Sequence, residues 1–286
     1  MSRAYEIRKV LLITLALNII VSGAKIFYGY HISSVSILSD GYHSLFDGVS
    51  NIIGLIGIYI AAHPPDKNHP YGHRKYETMF TIFVGFLMFI TCIEIFKKSY
   101  GSFSGKAETV MVTTESFIIM LITMAVNIFV TVYEREKGAA LGSEFLIADS
   151  KHTMSDIYVS LGVIAGLVIS KFGIPKADPI AGAIVGVFVA KAGFEIIRDS
   201  AEVLVDAALT DIEAIKAAAS KVKGVVECHE IRARGSKQNI FVDLHVLVNP
   251  SISIQDGHTI AHRVENAIKR EFPEIVDIVV HVETCS

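Results

Sequence analysis

Six stretches of this chain are apolar over lengths that suit a lipid bilayer, and together they occupy most of the sequence before Ser200. A helix needs about 20 mostly apolar residues to cross a hydrocarbon core. The runs that qualify are Val10–Tyr30, Val35–Ala62, Thr78–Phe96, Phe117–Val132, Leu146–Ile169 and Ile180–Ile197. The segments between them include the breaker-rich or charged stretches "HPPDKNHPYGHRK", "SYGSFSGKAE", "EREKGAALG" and "KFGIPKADP". The second and fifth runs are less apolar in their first halves, and a count of four spans would leave them as surface helices. Yet "VSNIIGLIGIYIAA" and "IYVSLGVIAGLVIS" are apolar all round, the mark of a helix buried in a bundle rather than one with a wet face. Six is therefore the expected count. The first run is long enough to span and lacks a small-residue cleavage site, so it reads as an anchor and not as a cleaved signal.

An even number of spans puts both termini on one side. On that side, ahead of the last span, lie Arg3, Arg8, Lys9, Lys67, Arg74, Lys75, Arg135 and Lys137, eight cations against five on the other. This bias predicts cytoplasmic termini. Gly162 with Gly166 and Gly182 with Gly186 have the spacing that lets helices approach closely in lipid, though glycine is also simply common in such helices.

The residues from 206 onward read as a separate domain, giving a division into 1–205 and 206–286. Thr210 and Glu213 have capping-box spacing ahead of a helix through about Val222, which Gly224 would stop. "VVECHEIRA" and "NIFVDLHVLV" read as strands around a turn at "RGSKQ". A second helix is expected over Ile254–Phe272. The chain then closes on "IVDIVVHVE", whose apolar residues Val276, Ile278, Val280 and Val282 alternate with Asp277, His281 and Glu283. The order α-β-β-α-β predicts a small open α+β sheet of ferredoxin-like type, with helices on one face and the other face free. Asp243 and His245 share that free face. The formal net charge of −3 argues against nucleic acid as a partner, and the three cysteines form no disulfide framework.

The chemistry is concentrated in a repeated pattern. "SDGYHSLFDG" carries Asp40, His43 and Asp47; "ADSKHTMSD" carries Asp149, His152 and Asp156 at the same spacing. Offsets of three, four and seven keep all three side chains of each set on one helix stripe. An ionised carboxylate within a bilayer costs about 2.5–3.5 kcal/mol on insertion scales unless it is paired or wetted. Lys25 and Lys151 are the nearby amines and cannot neutralise both clusters. A divalent metal can. His43, Asp47, His152 and Asp156 supply the four ligands of a tetrahedral site, and two imidazoles favour Zn²⁺, with Co²⁺, Fe²⁺, Cd²⁺ or Mn²⁺ as competitors. Asp40 and Asp149, a turn further on, read as partners of the ligands or as helix caps.

Two D-x-x-H-x-x-x-D segments on the second and fifth of six spans, "HPYGHRKYE" after the second, and an α-β-β-α-β tail resemble the cation diffusion facilitator family over nearly the whole chain. The resemblance implies a homodimeric exporter in the cytoplasmic membrane of a bacterium or archaeon that exchanges divalent metal, zinc first, for protons. It also implies a second metal site at Asp66, His69 and His73. In the tail it implies a zinc site at His229, His245, His258, His281 and Glu283, and a charge pair between membrane and tail at Lys75 and Asp206. His262 matches no family ligand. Metal and protons would compete for the same intramembrane atoms, which is the basis of an antiporter. Other classes remain open. A bis-His haem carrier has no use for four carboxylates, and an intramembrane protease lacks H-E-x-x-H. A metal sensor without transport differs only in whether loaded vesicles exchange metal. The expectation is a transporter and not an enzyme.

Overall fold

The computed structural model describes residues 2–31, 35–104, 114–171, 177–208, 210–236 and 238–285. They divide into two compact units, Met1–Ser200 and Ala201–Ser286.

The first unit is helical. Its elements are α1 (Arg3–His31), α2 (Val35–Ala61), α3 (Lys75–Phe103), α4 (Thr114–Leu141), α5 (Glu144–Lys171) and α6 (Ala177–Leu204), the last running past the division between the units. All six expected spans are present as helices; α2 matches its apolar run to within a residue, and the other five extend beyond theirs. By length and composition alone, Arg3–Tyr28, Lys75–Gly101 and Pro179–Leu204 suffice to cross a membrane, while Asp47–Ala61 is a shorter apolar segment. The largest correction is at α4. "EREKGAALG" reads in the sequence as a connection, but the helix continues through it to Leu141, with Glu134 turned inward and 0% exposed.

Helices α1 and α2 pack along each other, as do α4 and α5, with α3 against α2 and α5. Ile7, Leu11, Ile58, Val84, Met88, Phe145 and Leu146 form the shared core. The expected glycine contacts are real at three of four positions. A Cβ on Gly162 would meet Val185 of α6, one on Gly182 would meet Ser99 of α3, and one on Gly186 would meet Phe96 of α3. Gly166 lies outside the residues with described side chains.

A polar clasp closes one end of this unit. The Arg3 guanidinium donates to both Glu77 carboxylate oxygens (2.9 and 3.2 Å), and to the Leu141 and Gly142 carbonyls (2.7 and 2.8 Å). Ser143 Oγ donates to the same Glu77 carboxylate at 2.6 Å. One residue of α1 thus binds the start of α3 and the α4–α5 turn.

The second unit is α7 (Ile212–Ser220), β1 (Glu227–Ser236), β2 (Asn239–Val248), α8 (Ile254–Glu271) and β3 (Ile275–Thr284), the expected order. β2 is central, antiparallel to β1 and parallel to β3. Leu244, Val246, Val264, Ile268 and Ile278 form the core. Four details differ from expectation. The cap of α7 is Asp211, whose carboxylate accepts the Glu213 and Ala214 N–H groups, so Thr210 is displaced by one residue. The helix ends at Ser220, ahead of Gly224, whose φ of +102 only glycine adopts freely. β1 runs into "RGSKQ" as far as Ser236. Val276 is exposed, because an irregularity between Ile240 and Phe241 gives its inward place to Ile275. α8 carries a full capping box, Ser253 with Asp256.

Candidate metal centres

Within the helical unit Asp47 of the first motif is brought beside His152 and Asp156 of the second, across α2 and α5. Ligand atoms of Asp47, His152 and Asp156 all lie within 4.8 Å of one another. His152 Nε2 is 4.0 Å from Asp47 Oδ1, and His152 is only 4% exposed. The i, i+4 spacing of His152 and Asp156 does this locally, since residues four apart stand one turn above each other. His43 and Asp40 belong to α2 by backbone, but their side chains lie outside those described. The three groups border a cavity of ≈ 20 Å³, also lined by Asn18, Ser44, Asn51 and Asn127. Lys25, 4% exposed, donates to Ser44 Oγ at 2.9 Å, which places an ammonium at the cavity's edge.

Asp149 is 1% exposed and held from behind. Asn51 Nδ2 donates to its Oδ2 at 2.7 Å, and Asn18 Nδ2 donates to Asn51 Oδ1 at 2.9 Å. This chain of amides runs from α1 through α2 to α5. Two atoms of the site are left over: Asp149 Oδ1 and His152 Nδ1 are buried with no hydrogen-bond partner among the described residues. Glu134 of α4 approaches Asp149, and its two carboxylate oxygens are buried in the same condition. Such groups ordinarily find partners, and leaving them without costs about 1–3 kcal/mol each. Glu134, Asn18 and Asn51 are polar members of this core that sequence reasoning missed; only the burial of "YERE" as helix would have exposed the first.

After α2, Asp66, His69 and His73 form a second convergent set, again within 4.8 Å. Asp66 Oδ1 accepts the backbone N–H groups of Asn68 and His69 (2.9 and 2.6 Å), an Asx-type turn that fixes the carboxylate. His69 Nδ1 lies 3.2 Å from Oδ1, and His73 Nε2 lies 3.5 Å from Oδ2. The His69 N–H leads the interactions that hold the Asp66 carboxyl below its ordinary range. His63, unremarked in the sequence, stands with its ring 6.0 Å from that of His73.

In the tail, the sheet register sets three histidines in a row: His229 opposite His245, and His245 opposite His281. Glu283 gathers them. Its carboxylate is 2.9 Å from His245 Nδ1, 3.3 Å from His229 Nε2 and 3.5 Å from His281 Nε2. Next to His229, a bulge puts Glu230 at φ +48, and its carboxylate reaches 3.7 Å from His245 Nε2. A non-glycine residue held there costs about 1–2 kcal/mol. His258 is not in this cluster: its ring turns to His262 on α8. Lys75 opens α3 in one unit, and Asp206, at φ +62, follows α6 in the other. Cys228 is buried in the tail core.

The hydrogen bond from His245 is the main cause that holds the Glu283 carboxyl below its ordinary value near 4.5. A lowered carboxyl stabilises the fold fully above its unfolded value, and that share disappears as pH falls through the lower folded one. Acid unfolding of the metal-free tail, followed by hydrogen exchange in the full chain, is thus expected to begin below about pH 4.5. Glu283→Gln should flatten that limb.

Residues 11–205 match the family model described as the cation efflux transmembrane domain, and residues 208–285 match that of the cation efflux protein cytoplasmic domain. A relative from Methanocaldococcus jannaschii, named only as an uncharacterized transporter, is 37% identical over 92% of this chain and 94% of its own. The manganese efflux system protein MneP of Bacillus subtilis is 31% identical, over 96% and 95%. MneS of the same organism, also named a manganese efflux protein, is 28% identical over 91% and 90%.

Proposed function

This chain belongs to the cation efflux family, the cation diffusion facilitators, and from that premise we propose that it exports Zn²⁺ in exchange for protons through the site between α2 and α5. Membership makes it an integral membrane transporter of divalent metal cations and not an enzyme. The finer reading rests on one observation: Asp47, His152 and Asp156 converge to within 4.8 Å around a cavity deep among helices. His43, on the same stripe of α2 as Asp47, completes a set of two imidazoles and two carboxylates, the donor mixture that suits zinc.

These atoms bind metal only when the imidazoles are neutral and the carboxylates ionised, so each proton taken up expels metal. The site loads from the cytoplasm when deprotonated. Protons on the far side release the ion and return the site. The Asn51 amide, which does not titrate, keeps Asp149 in place through both halves of the cycle. The loop set and the tail row bind the same ions outside the bilayer, and the tail joins two copies. Both termini face the cytoplasm.

A second reading, Mn²⁺ as the cargo, has its own support. The cavity wall adds the amide and hydroxyl oxygens of Asn18, Asn51, Asn127 and Ser44, and hard oxygen donors suit manganese. The two Bacillus relatives are named for that metal. Proteoliposomes with an internal pH dye decide between them. Zn²⁺-driven proton flux exceeding that with Mn²⁺, Fe²⁺ or Cd²⁺ is expected; flux with Mn²⁺ alone reassigns the cargo, and none with any metal ends the antiport reading.

A further inference from the structure

Among the described residues, Glu77, Glu134 and Asp149 are the acids buried in the helical unit. The Arg3 guanidinium balances Glu77. Glu134 is different. It lies on α4 at 0% exposure, beside Asp149 of α5 and the Thr14 hydroxyl of α1, the helices against which α4 chiefly packs. Neither of its oxygens has a hydrogen-bond partner among the described residues, and Asp149 Oδ1 is in the same position. We propose that Glu134 is a neutral carboxylic acid whose O–H serves Asp149 Oδ1, making it a positioning residue that holds the α5 carboxylate one turn from His152.

Three observations carry this. The first is charge. Two ionised carboxylates side by side in a buried place repel each other, and both have lost their water; a single proton relieves both costs. The inward-facing cations are engaged elsewhere, Arg3 with Glu77 and two carbonyls, Lys25 with Ser44 Oγ. Arg8 and Lys9 of α1, and Arg135 and Lys137 of α4, are exposed. On α5, Lys151 is two residues from Asp149 and so off its face, and Glu144 accepts from Thr78. The second is the place of the proton. Asp149 Oδ2 accepts the Asn51 amide at 2.7 Å, a bond that favours the ionised form, whereas Glu134 accepts none among the described residues. The proton therefore sits on Glu134. The third is a set of stranded atoms. Thr131 stands three residues before Glu134 on the same stripe of α4, 3% exposed, and its Oγ1 is also buried without a partner among the described residues. An ionised Glu134 offers Asp149 Oδ1 only another acceptor. A protonated one donates to Oδ1 and keeps a carbonyl oxygen for the Thr131 hydroxyl. One proton thus supplies the donor that these buried atoms lack, and buried polar atoms are ordinarily satisfied.

The consequence is for the metal site. With Asn51 on one oxygen and Glu134 on the other, Asp149 is fixed from α2 and from α4. Glu134 keeps its proton throughout, so this support does not change while the ligands exchange theirs. The effect on metal rests on the transport reading; the protonation of Glu134 does not.

The test is infrared spectroscopy of the full-length chain in detergent at neutral pH, where exposed carboxyls are ionised and a buried acid shows its own C=O stretch. The unaltered chain is expected to show that band, and Glu134→Gln to remove it. No acid band, or one that survives in the Glu134→Gln chain, overturns the proposal. In proteoliposomes, Glu134→Leu should raise the Zn²⁺ needed for half-maximal proton flux by about 10- to 100-fold, the cost of losing a ligand's supporting partner. Glu134→Gln keeps a donor in the same place and should recover most of that loss. Equal losses in both chains, or fewer protons moved per Zn²⁺ in the Glu134→Gln chain, overturn the positioning role. Should Glu134→Leu fail to fold, the infrared band and the proton count of the Glu134→Gln chain decide. Flux absent even from the unaltered chain ends the antiport reading, and the infrared band then decides Glu134 by itself.

Discussion

Alanine at Asp156 is expected to abolish metal-driven proton flux in proteoliposomes, with a fall of at least 100-fold, beyond the 10- to 100-fold that loss of a mere supporting partner of a metal ligand costs. Asp156 contributes a ligand atom within 4.8 Å of those of His152 and Asp47, and borders the same cavity. Removing its carboxylate takes away a quarter of the donor set, and a proton acceptor with it. Asp47→Ala should do the same from the opposite helix. Asp211→Ala, which removes only the cap of a tail helix, should leave flux near that of the unaltered chain while costing the tail about 1 kcal/mol. Undiminished flux in the Asp156→Ala chain would remove the residue from the site and with it the pairing of α2 with α5 as the carrier.

The second large effect is on stability. Glu77→Ala should destabilise the helical unit by about 3 kcal/mol, the lower end of the range for breaking a buried ion pair. Glu77 is 5% exposed and accepts from Arg3 twice and from Ser143 once. Taking it away strands the guanidinium among the Leu141 and Gly142 carbonyls, though the Arg3 side chain, 25% exposed, recovers some hydration. The penalty belongs to the abandoned charge and not to the pair as such. Replacing both partners with apolar residues, Arg3→Met with Glu77→Leu, should therefore be close to neutral. Thermal unfolding in detergent distinguishes the two: a single variant as stable as the double one refutes the clasp.

Much of this was legible in the residues. Apolar length gave the six helices, and the doubled motif picked out two helices on which ligand-type side chains converge, because periodicity reports which residues share a face. Periodicity does not report which helices meet. Nothing in "EREKGAALG" distinguishes a wet charged turn from a helix that buries Glu134 against Asp149, since charge in both signs reads as solvated. The amide chain from Asn18 to Asp149 crosses three helices and has no signature in any one of them. The same holds in the tail. Alternation placed Asp243, His245, His281 and Glu283 on one face, but the row of His229, His245 and His281 depends on the strand register, and Glu230 reaches it only through a bulge. The resemblance groups His258 with residues of the sheet, while the histidine that stands beside it on α8 is His262, which matches no family ligand.

The cavity between α2 and α5, ≈ 20 Å³, has room for about one water molecule. A hexahydrated ion is far larger, so on the proposed reading the cargo enters stripped of most of its water. Discrimination then begins before any ligand is touched, as a contest over who sheds water fastest. On that reading magnesium, which dehydrates reluctantly, is disfavoured by its own hydration shell.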